Sequence, residues 1–252
     1  MNQSELKDFL DFKANQYESI DFIATDPIQI PHGFKRKEDI EIAGFLTASI
    51  AWGNRLSILN SANKMMRLMD AAPYDFVMNH KASDLKSFEG FVHRTFNAED
   101  LTSFVRSLQH IYKNHQGLEK VFNLSKSPIQ QRIHDFKTVF FEIDHLPRTQ
   151  KHVSDPLRGS AAKRINMFLR WMVRPNNKGV DFGIWKQIHP SALSIPLDIH
   201  TGNIARKLKL IKRKQQDAKT LMELDKKLRK FDPNDPVKYD FALFGLGVFE
   251  KF

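Results

Sequence analysis

Two neighbouring stretches decide how this chain folds: LRGSAAKRINMFLRWMVR at residues 157–174 and HPSALSIPLDIHTGNIARKL at residues 189–208. Each contains a helix-start signal ahead of an amphipathic run. A Gly-Ser pair precedes the first run, and Pro196 precedes the second, where Asp198 is a good N-cap residue. Lys163 and Asp198 therefore stand at the starts of two predicted helices. We expect this amine and this carboxylate to meet in space and to form the core of a functional site.

The run that follows Lys163 has the apolar periodicity of a helix over residues 161–173. Its apolar stripe, with spacing i, i+3, i+4, i+7 and i+8, consists of Ile165, Phe168, Leu169, Met172 and Val173. Asn166, Arg170 and Arg174 share another face of the same helix. That face either contacts phosphates or is simply solvated.

Helical patterns recur along the whole chain, and no segment shows sustained strand alternation. The fold class is therefore predicted to be all-α, with short connections. We expect one helical unit over residues 1–252, made of a neutral helical part (1–150) and a basic part that contains the 157–163 turn (151–252). The predicted helices cover residues 4–24, 38–51, 56–70, 74–80, 99–115, 128–144, 161–173, 199–211, 217–231 and 235–252, with a short helix near 183–188.

Composition excludes several classes of protein. The chain contains no cysteine, which rules out disulfides, cysteine-ligated zinc and iron–sulfur clusters. The N-terminal stretch has no apolar region of signal-peptide type, and the apolar runs are too short to span a bilayer. We therefore expect a cytoplasmic protein without a membrane partner.

The positive charge is concentrated in the C-terminal part. The net charge is +10, and residues 151–252 hold 21 Lys and Arg against 10 Asp and Glu. Residues 1–150 hold 18 basic and 19 acidic side chains. This asymmetry indicates a polyanionic partner, with nucleic acid the first candidate, whereas the alternative is a basic face that only aids solubility.

Two motifs resemble those of the helix–hairpin–helix DNA glycosylases. Residues 157–163 (LRGSAAK) are similar to the Leu-Pro-Gly-Val-Gly-x-Lys hairpin that carries the lysine of the lyase members. Residues 195–200 (IPLDIH) are similar to the Val-Pro-Val-Asp-x-His segment that carries the aspartate. Arg94-Thr95-Phe96-Asn97 resembles a stretch of the archaeal 8-oxoguanine branch. The chain as a whole resembles a bacterial family of unknown function related to this superfamily.

The resemblance implies a helix–hairpin–helix architecture and a bifunctional glycosylase and AP lyase that removes 8-oxoguanine. Such an enzyme flips the damaged nucleotide out of the duplex. Lys163 would attack C1′ as a neutral amine, which positive potential at a helix N-terminus favours, and would form a Schiff base. Asp198 would stabilise the charge that develops on the sugar. The partner would be double-stranded DNA with a damaged base, and the protein a nucleoid-associated monomer.

The resemblance also assigns roles around this pair. The hairpin backbone at Gly159, Ser160 and Ala161 would hold a phosphate, with a monovalent cation as the family suggests and no other cofactor. The remaining predicted DNA contacts are Arg164, Arg170, His200, Arg94 and Asn54, the last filling the gap left by the flipped base or only capping a helix. Phe244 is the candidate for stacking on that base, although its spacing also fits a core residue.

Departures from the pattern keep other interpretations open. Ala161 replaces the second glycine of the hairpin, Arg158 replaces the proline, and Asp198 follows Lys163 by 35 residues. Each candidate residue alone has a structural explanation, since Lys163 can be a solvated helix lysine and Asp198 only an N-cap. The alternatives are a non-catalytic nucleic-acid-binding protein of the same fold and an α-helical module that binds an acidic protein.

Overall fold

The computed structural model describes residues 2–252 and is dominated by helices, so the all-α class is confirmed. The helix–hairpin–helix architecture stays a prediction. In chain order the helices are α1 (Gln3–Tyr17), α2 (Ile20–Ile23), α3 (Gln29–His32), α4 (Lys37–Ser49), α5 (Arg55–Leu68), α6 (Pro73–Asn79), α7 (Ala98–Asn114), α8 (Leu118–Phe122), α9 (Ile129–Phe140), α10 (Lys163–Val173), α11 (Ile199–Lys207), α12 (Ala218–Phe231) and α13 (Tyr239–Val248). An antiparallel pair, β1 (Val92–His93) and β2 (Phe96–Asn97), precedes α7.

The chain divides into two compact units. The first contains residues 2–24, 128–131 and 155–252, and the second contains residues 25–127 and 132–154. The prediction of a single glycosylase-like unit stays a prediction. No helix within residues 2–252 combines the length and the apolar character that crossing a bilayer requires.

Helix α13 is the central element of the first unit. It is almost wholly apolar, and Phe241, Leu243 and Leu246 are fully buried. Gly245 brings α13 against α1, since a Cβ at this position would lie 2.1 Å from the ring of Tyr17. A Cβ at Gly247 would lie 3.1 Å from His200 of α11. Small residues therefore let α13 pack closely against both α1 and α11.

A cluster of phenylalanines forms the core of the second unit. The Phe45 ring lies 5.8 Å from that of Phe104 and 5.3 Å from that of Phe140 between centroids, and Phe122 stacks on Phe136 at 4.2 Å. Burial of such rings, with offset or edge-to-face geometry, supplies much of the stabilisation of a core.

Two local predictions are wrong. The helix expected over 4–24 is interrupted, because Ser19 has extended backbone angles and separates α1 from α2. The short helix expected near 183–188 does not form. Instead, the N–H groups of Phe182 and Trp185 donate to the carbonyls of Trp171 and Met172, and the Trp185 ring is buried against Phe168. Tertiary bonding thus replaces local helical bonding in this segment.

Candidate functional site

A tight turn at residues 155–162 leads into α10. Asp155 begins it by accepting a hydrogen bond from Leu157 N–H at 3.0 Å, and a 3₁₀ segment (Pro156–Arg158) ends at Gly159, whose φ is 90°. The start of α12 fixes this turn, because Ala218 N–H donates to the Gly159 carbonyl at 3.0 Å and Ser160 pairs with Asp217. Gly159 itself is exposed, and the space that a Cβ would fill is open.

The alanines that follow are held from inside the protein. Ala161 and Ala162 are 6% and 1% exposed. The side-chain amide of Asn166 donates to the Ala161 carbonyl at 2.9 Å, and Ala162 occupies the left-handed region with φ 44°. The side chain of Ala161, predicted to lie at a phosphate site, is therefore buried. Gly159 and Ser160 are the more accessible part of this turn.

Lys163 is the first residue of α10, where the backbone N–H groups of the helix lack intrahelical partners. Its side chain is half-buried, and its ammonium group makes no hydrogen bond or ion pair within residues 2–252. The next residue, Arg164, is also half-buried, and burial lowers the pKa of its guanidinium to about 10. The amine of Lys163 is thus available for contact with a ligand.

Asp198 caps α11 and is positioned by α12. Its Oδ1 accepts a hydrogen bond from Thr201 N–H at 2.7 Å. The buried segment in front of it is fixed by two side chains of α12. Asp225 accepts from Ile195 N–H at 3.1 Å, and Arg229 donates to the Ser191 carbonyl at 3.3 Å. The carboxylate of Asp198 therefore projects from a segment whose backbone is held from behind.

A buried carboxyl group, Asp240 of α13, is influenced electrostatically by both Lys163 and Asp198. Asp240 is 6% exposed and accepts a hydrogen bond from Arg170. Burial raises the pKa of Asp240 to about 7; Arg170 and Lys163 act to lower it and the Asp198 carboxylate acts to raise it. Lys163 and Asp198 thus lie within electrostatic range of the same buried group, although no direct ion pair joins them among the described residues.

Arg170 of α10 and Arg174, which caps the C-terminal end of this helix, belong to an internal ion network. Arg170 is 3% exposed and donates to Asp181 at 3.2 Å as well as to Asp240. Arg174 forms ion pairs at 2.7 Å with both Asp181 and Glu18. The predicted phosphate contact of Arg170 is not supported by this position, because its guanidinium is already desolvated and bonded to two carboxylates. Its observed role is to hold α10 against α13.

His200 and Phe244 lie next to each other on α11 and α13. His200 is exposed, Phe244 is half-buried, and their ring centroids are 6.4 Å apart. Phe244 also meets Phe22 edge-on at 5.9 Å. Residues four apart share a helix face, so Phe244 lies on the face of α13 that carries Asp240. The unit therefore places an aromatic ring one helical turn from the buried carboxyl group.

A family model described as "Protein of unknown function (DUF2400)" matches residues 26–249. The chain belongs to this family. No curated protein and no solved structure matches it significantly. The family match covers every residue of the 155–162 turn, Lys163, Asp198 and Asp240, so these features lie within the DUF2400 region itself.

The second unit of this DUF2400 chain contains the other two predicted DNA contacts. Asn54 caps α5, since its side chain accepts a hydrogen bond from Ser57 N–H at 3.2 Å. Arg94 occupies the β1–β2 turn with φ 54°, and its side chain lies against Gly53. These two residues are therefore neighbours. The observed contact of Asn54 is therefore that of a helix cap.

Two candidate functional features of this DUF2400 member, Asp240 and a basic loop, were not predicted from the sequence. Asp240 could have been found as a carboxylate within the apolar run of α13. The basic loop follows α11 and presents Lys212 and Lys214 to solvent, and Lys219 is exposed in the first turn of α12. The loop adjoins the 155–162 turn through the pairing of Ser160 with Asp217. The run of three basic residues at 212–214 could have indicated this loop.

Proposed function

We propose that this protein is a DNA glycosylase with AP lyase activity that excises an oxidised guanine from duplex DNA. The observation that carries the proposal is the arrangement of Lys163, Asp198 and Asp240 in one unit. An unpaired lysine begins one helix, an aspartate caps another, and both influence one buried carboxyl group. The similarity of residues 157–163 and 195–200 to the helix–hairpin–helix glycosylase motifs supplies the reaction class.

In the proposed reaction, Lys163 attacks C1′ of the flipped nucleotide while the bond from C1′ to the base breaks. The bonding electrons leave with the base, which takes up a proton. Asp198 stabilises the positive charge that develops on the sugar. Loss of the proton from the lysine nitrogen and opening of the sugar ring give a Schiff base, and β-elimination then cleaves the strand on the 3′ side. Asp240 would be a positioning residue, which acts through its hydrogen bond to Arg170 and through its electrostatic interaction with Lys163 and Asp198.

The surface around the turn supports a phosphate-binding role. Gly159 is exposed, and Lys212, Lys214 and Lys219 lie in the neighbouring loop and helix start. The Gly159 N–H already donates to the Pro156 carbonyl at 3.0 Å, so the charge of these lysines is the main support for phosphate binding. Arg213 is engaged with Asp217 at 2.7 Å, which ties the loop to the turn. Clustered lysines bind DNA mainly through phosphate charge, and they position a protein on the duplex without reading its sequence.

Borohydride trapping tests the proposal. The protein is mixed with duplexes that carry 8-oxoguanine, an abasic site or no damage, and it is then reduced and run on a denaturing gel. We expect a covalent complex with 8-oxoguanine DNA that is lost in Lys163→Gln. Lys226→Gln is the matched control, because Lys226 is an exposed lysine of α12 in the same unit; it should trap like the wild type.

Asp198→Asn separates catalysis from folding. Asparagine is an equally good N-cap, so the variant should keep the hydrogen bond to Thr201 N–H and the stability of α11. It should nevertheless excise the base at least ~100-fold more slowly in single-turnover assays, because it cannot stabilise developing positive charge.

Two results of the trapping experiment would change the proposal. If the protein is trapped on abasic DNA but not on 8-oxoguanine DNA, it is a lyase whose substrate is a different base. DNA binding without an adduct on any duplex would favour the non-catalytic nucleic-acid-binding protein.

A further inference from the structure

Two histidines and a glutamate of the second unit come together, and none of the three is a residue of the proposed glycosylase site. His110 lies in the last turns of α7, His115 follows that helix directly, and Glu142 follows α9. Glu142 Oε2 lies 2.9 Å from His110 Nε2 and 3.2 Å from His115 Nε2, and the two Nε2 atoms are 3.3 Å apart. Three atoms of types that can bind a metal thus form a small triangle.

The size of this triangle fits a tetrahedral metal ion. Zinc bonds to histidine nitrogen and carboxylate oxygen at about 2.0–2.2 Å, so two ligand atoms of a tetrahedral site lie roughly 3.3–3.5 Å apart. The three observed separations are equal to this value or a few tenths of an ångström shorter. An ion could therefore enter with only a slight expansion of the cluster and no backbone rearrangement.

The end of α7 explains why two histidines five residues apart face the same point. In a continuous helix, side chains at i and i+5 point about 140° apart. The helix ends at Asn114, and His115 leaves the helical conformation with φ −124° and ψ 15°. This change in the φ angle of His115 itself swings its side chain back towards His110.

The ring of His110 is also held from its other side. The Asn114 side-chain amide lies 2.9 Å from His110 Nδ1, which leaves Nε2 directed at Glu142. Metal-bound histidines generally use one nitrogen as ligand while a polar group binds the other and fixes the ring orientation. The group that faces Nδ1 is the Asn114 Nδ2 amide, which donates to it, so Nε2 holds the ring proton and donates it to Glu142. A metal at Nε2 would displace this proton, and the Asn114 side chain would then turn its amide oxygen towards Nδ1–H.

The cluster is accessible from solvent. The side chains of His110, His115 and Glu142 are 22%, 25% and 41% exposed. His110 also lines a surface cleft of about 390 Å³ to which Arg106 and Lys113 contribute. Three protein ligands beside an open cleft leave the fourth position for water or an anionic group, as in sites that keep an exchangeable ligand.

We propose that His110, His115 and Glu142 form a binding site for one divalent transition-metal ion of the zinc class. Two imidazoles and one carboxylate suit this class better than Mg²⁺ or Ca²⁺, which require more oxygen ligands. The fourth ligand is exchangeable, and the basic side chains of the cleft favour an anion at that position.

Calorimetric titration of the untagged, chelator-treated full chain with ZnCl₂ tests the site. We expect one Zn²⁺ per chain at neutral pH, with affinity reduced at least ~10-fold in Glu142→Gln and in His110→Ala. His189→Ala is the matched control, because His189 is exposed and distant in sequence; it should bind like the wild type. Circular dichroism and thermal unfolding without metal establish that each variant is folded.

Co²⁺ gives a second readout, since tetrahedral coordination produces an intense visible absorption that Glu142→Gln should lose. Zn²⁺ binding that is equally strong in wild type, Glu142→Gln and His110→Ala would overturn the proposal, as would the absence of a stoichiometric site in the wild type. Lys163→Gln should bind Zn²⁺ normally. The outcome therefore does not depend on whether the protein proves to be a glycosylase.

Discussion

At the scale of single residues, Asp240 has a buried carboxyl group whose ionisation is influenced by both candidate catalytic residues. It is buried in an apolar helix, hydrogen-bonded to Arg170, and influenced by Lys163 and Asp198 from outside the helix. A buried charge of this kind persists only when it is paired, and its ionisation then depends on its neighbours. Titratable groups with strongly shifted pKa values in such places are candidates for functional residues.

Asp240→Asn should change how stability depends on pH. The folded pKa is raised by burial to about 7 from an ordinary value of 3.8. The folded state therefore holds its proton more tightly than the unfolded state, so this group contributes stability that is full below pH ~4 and is lost as the pH rises through ~7. The free energy of unfolding of the wild type should fall relative to the variant by on the order of 2–4 kcal/mol across this window.

Urea unfolding of both proteins at several pH values between 4 and 8 measures this difference. Asp8→Asn is the matched control for the loss of one carboxyl group, because Asp8 is an exposed aspartate of α1 in the same unit. Parallel pH profiles of wild type and Asp240→Asn would show that Asp240 does not titrate in this range.

At the scale of single elements, the 155–162 turn combines a fixed backbone with an open surface. Its Gly159 has a φ that favours glycine, yet no atom lies where a Cβ would stand. Sterically this position could accept a side chain, and only the backbone conformation opposes one. A glycine with free space around it is suited to let a phosphate approach the main chain.

The Gly159→Ala variant should therefore distinguish the effect of backbone strain on stability from an effect on DNA binding. The positive φ should cost about 1 kcal/mol of unfolding free energy, and the added methyl group should weaken duplex DNA binding several-fold. Gly90→Ala is the matched control, because Gly90 has φ 75° and equally open space in the other unit. Both variants should lose similar stability in urea unfolding, but only Gly159→Ala should bind DNA more weakly in fluorescence anisotropy. Equal DNA affinities would remove the turn from the DNA interface.

Amphipathic periodicity predicted the longer helices well, because that signal is local, whereas the short helices α3 and α8 were not predicted. The predicted range 161–173 differs from α10 by only two residues at its start. The pairing of Arg170 with Asp240 joins residues 70 positions apart, and the support of Ile195 by Asp225 joins residues 30 apart. No spacing rule shows such partners, so an arginine on the polar face of α10 was expected at phosphates and is found in an internal ion network.

At the scale of the whole molecule, the positive charge is unevenly placed. The excess of Lys and Arg lies in residues 151–252, most of which belong to the first unit. Several of these cations are internal, including Arg170 and Arg174, and contribute to the fold. The exposed lysines of the 212–219 segment can contribute to phosphate binding, because they remain in solvent beside the 155–162 turn.

Salt dependence of DNA binding tests this assignment. Each phosphate that a lysine neutralises releases counterions, so removing one such lysine changes the slope of log affinity against log salt concentration by about 0.9. Lys212→Gln combined with Lys214→Gln should weaken binding and make the slope shallower by roughly 2. The matched control is Lys81→Gln combined with Lys86→Gln, two exposed lysines of the second unit that give the same change in net charge. If both pairs alter the slope equally, binding follows net charge and not a surface around the turn, and an unaltered slope in the first pair would place the DNA elsewhere.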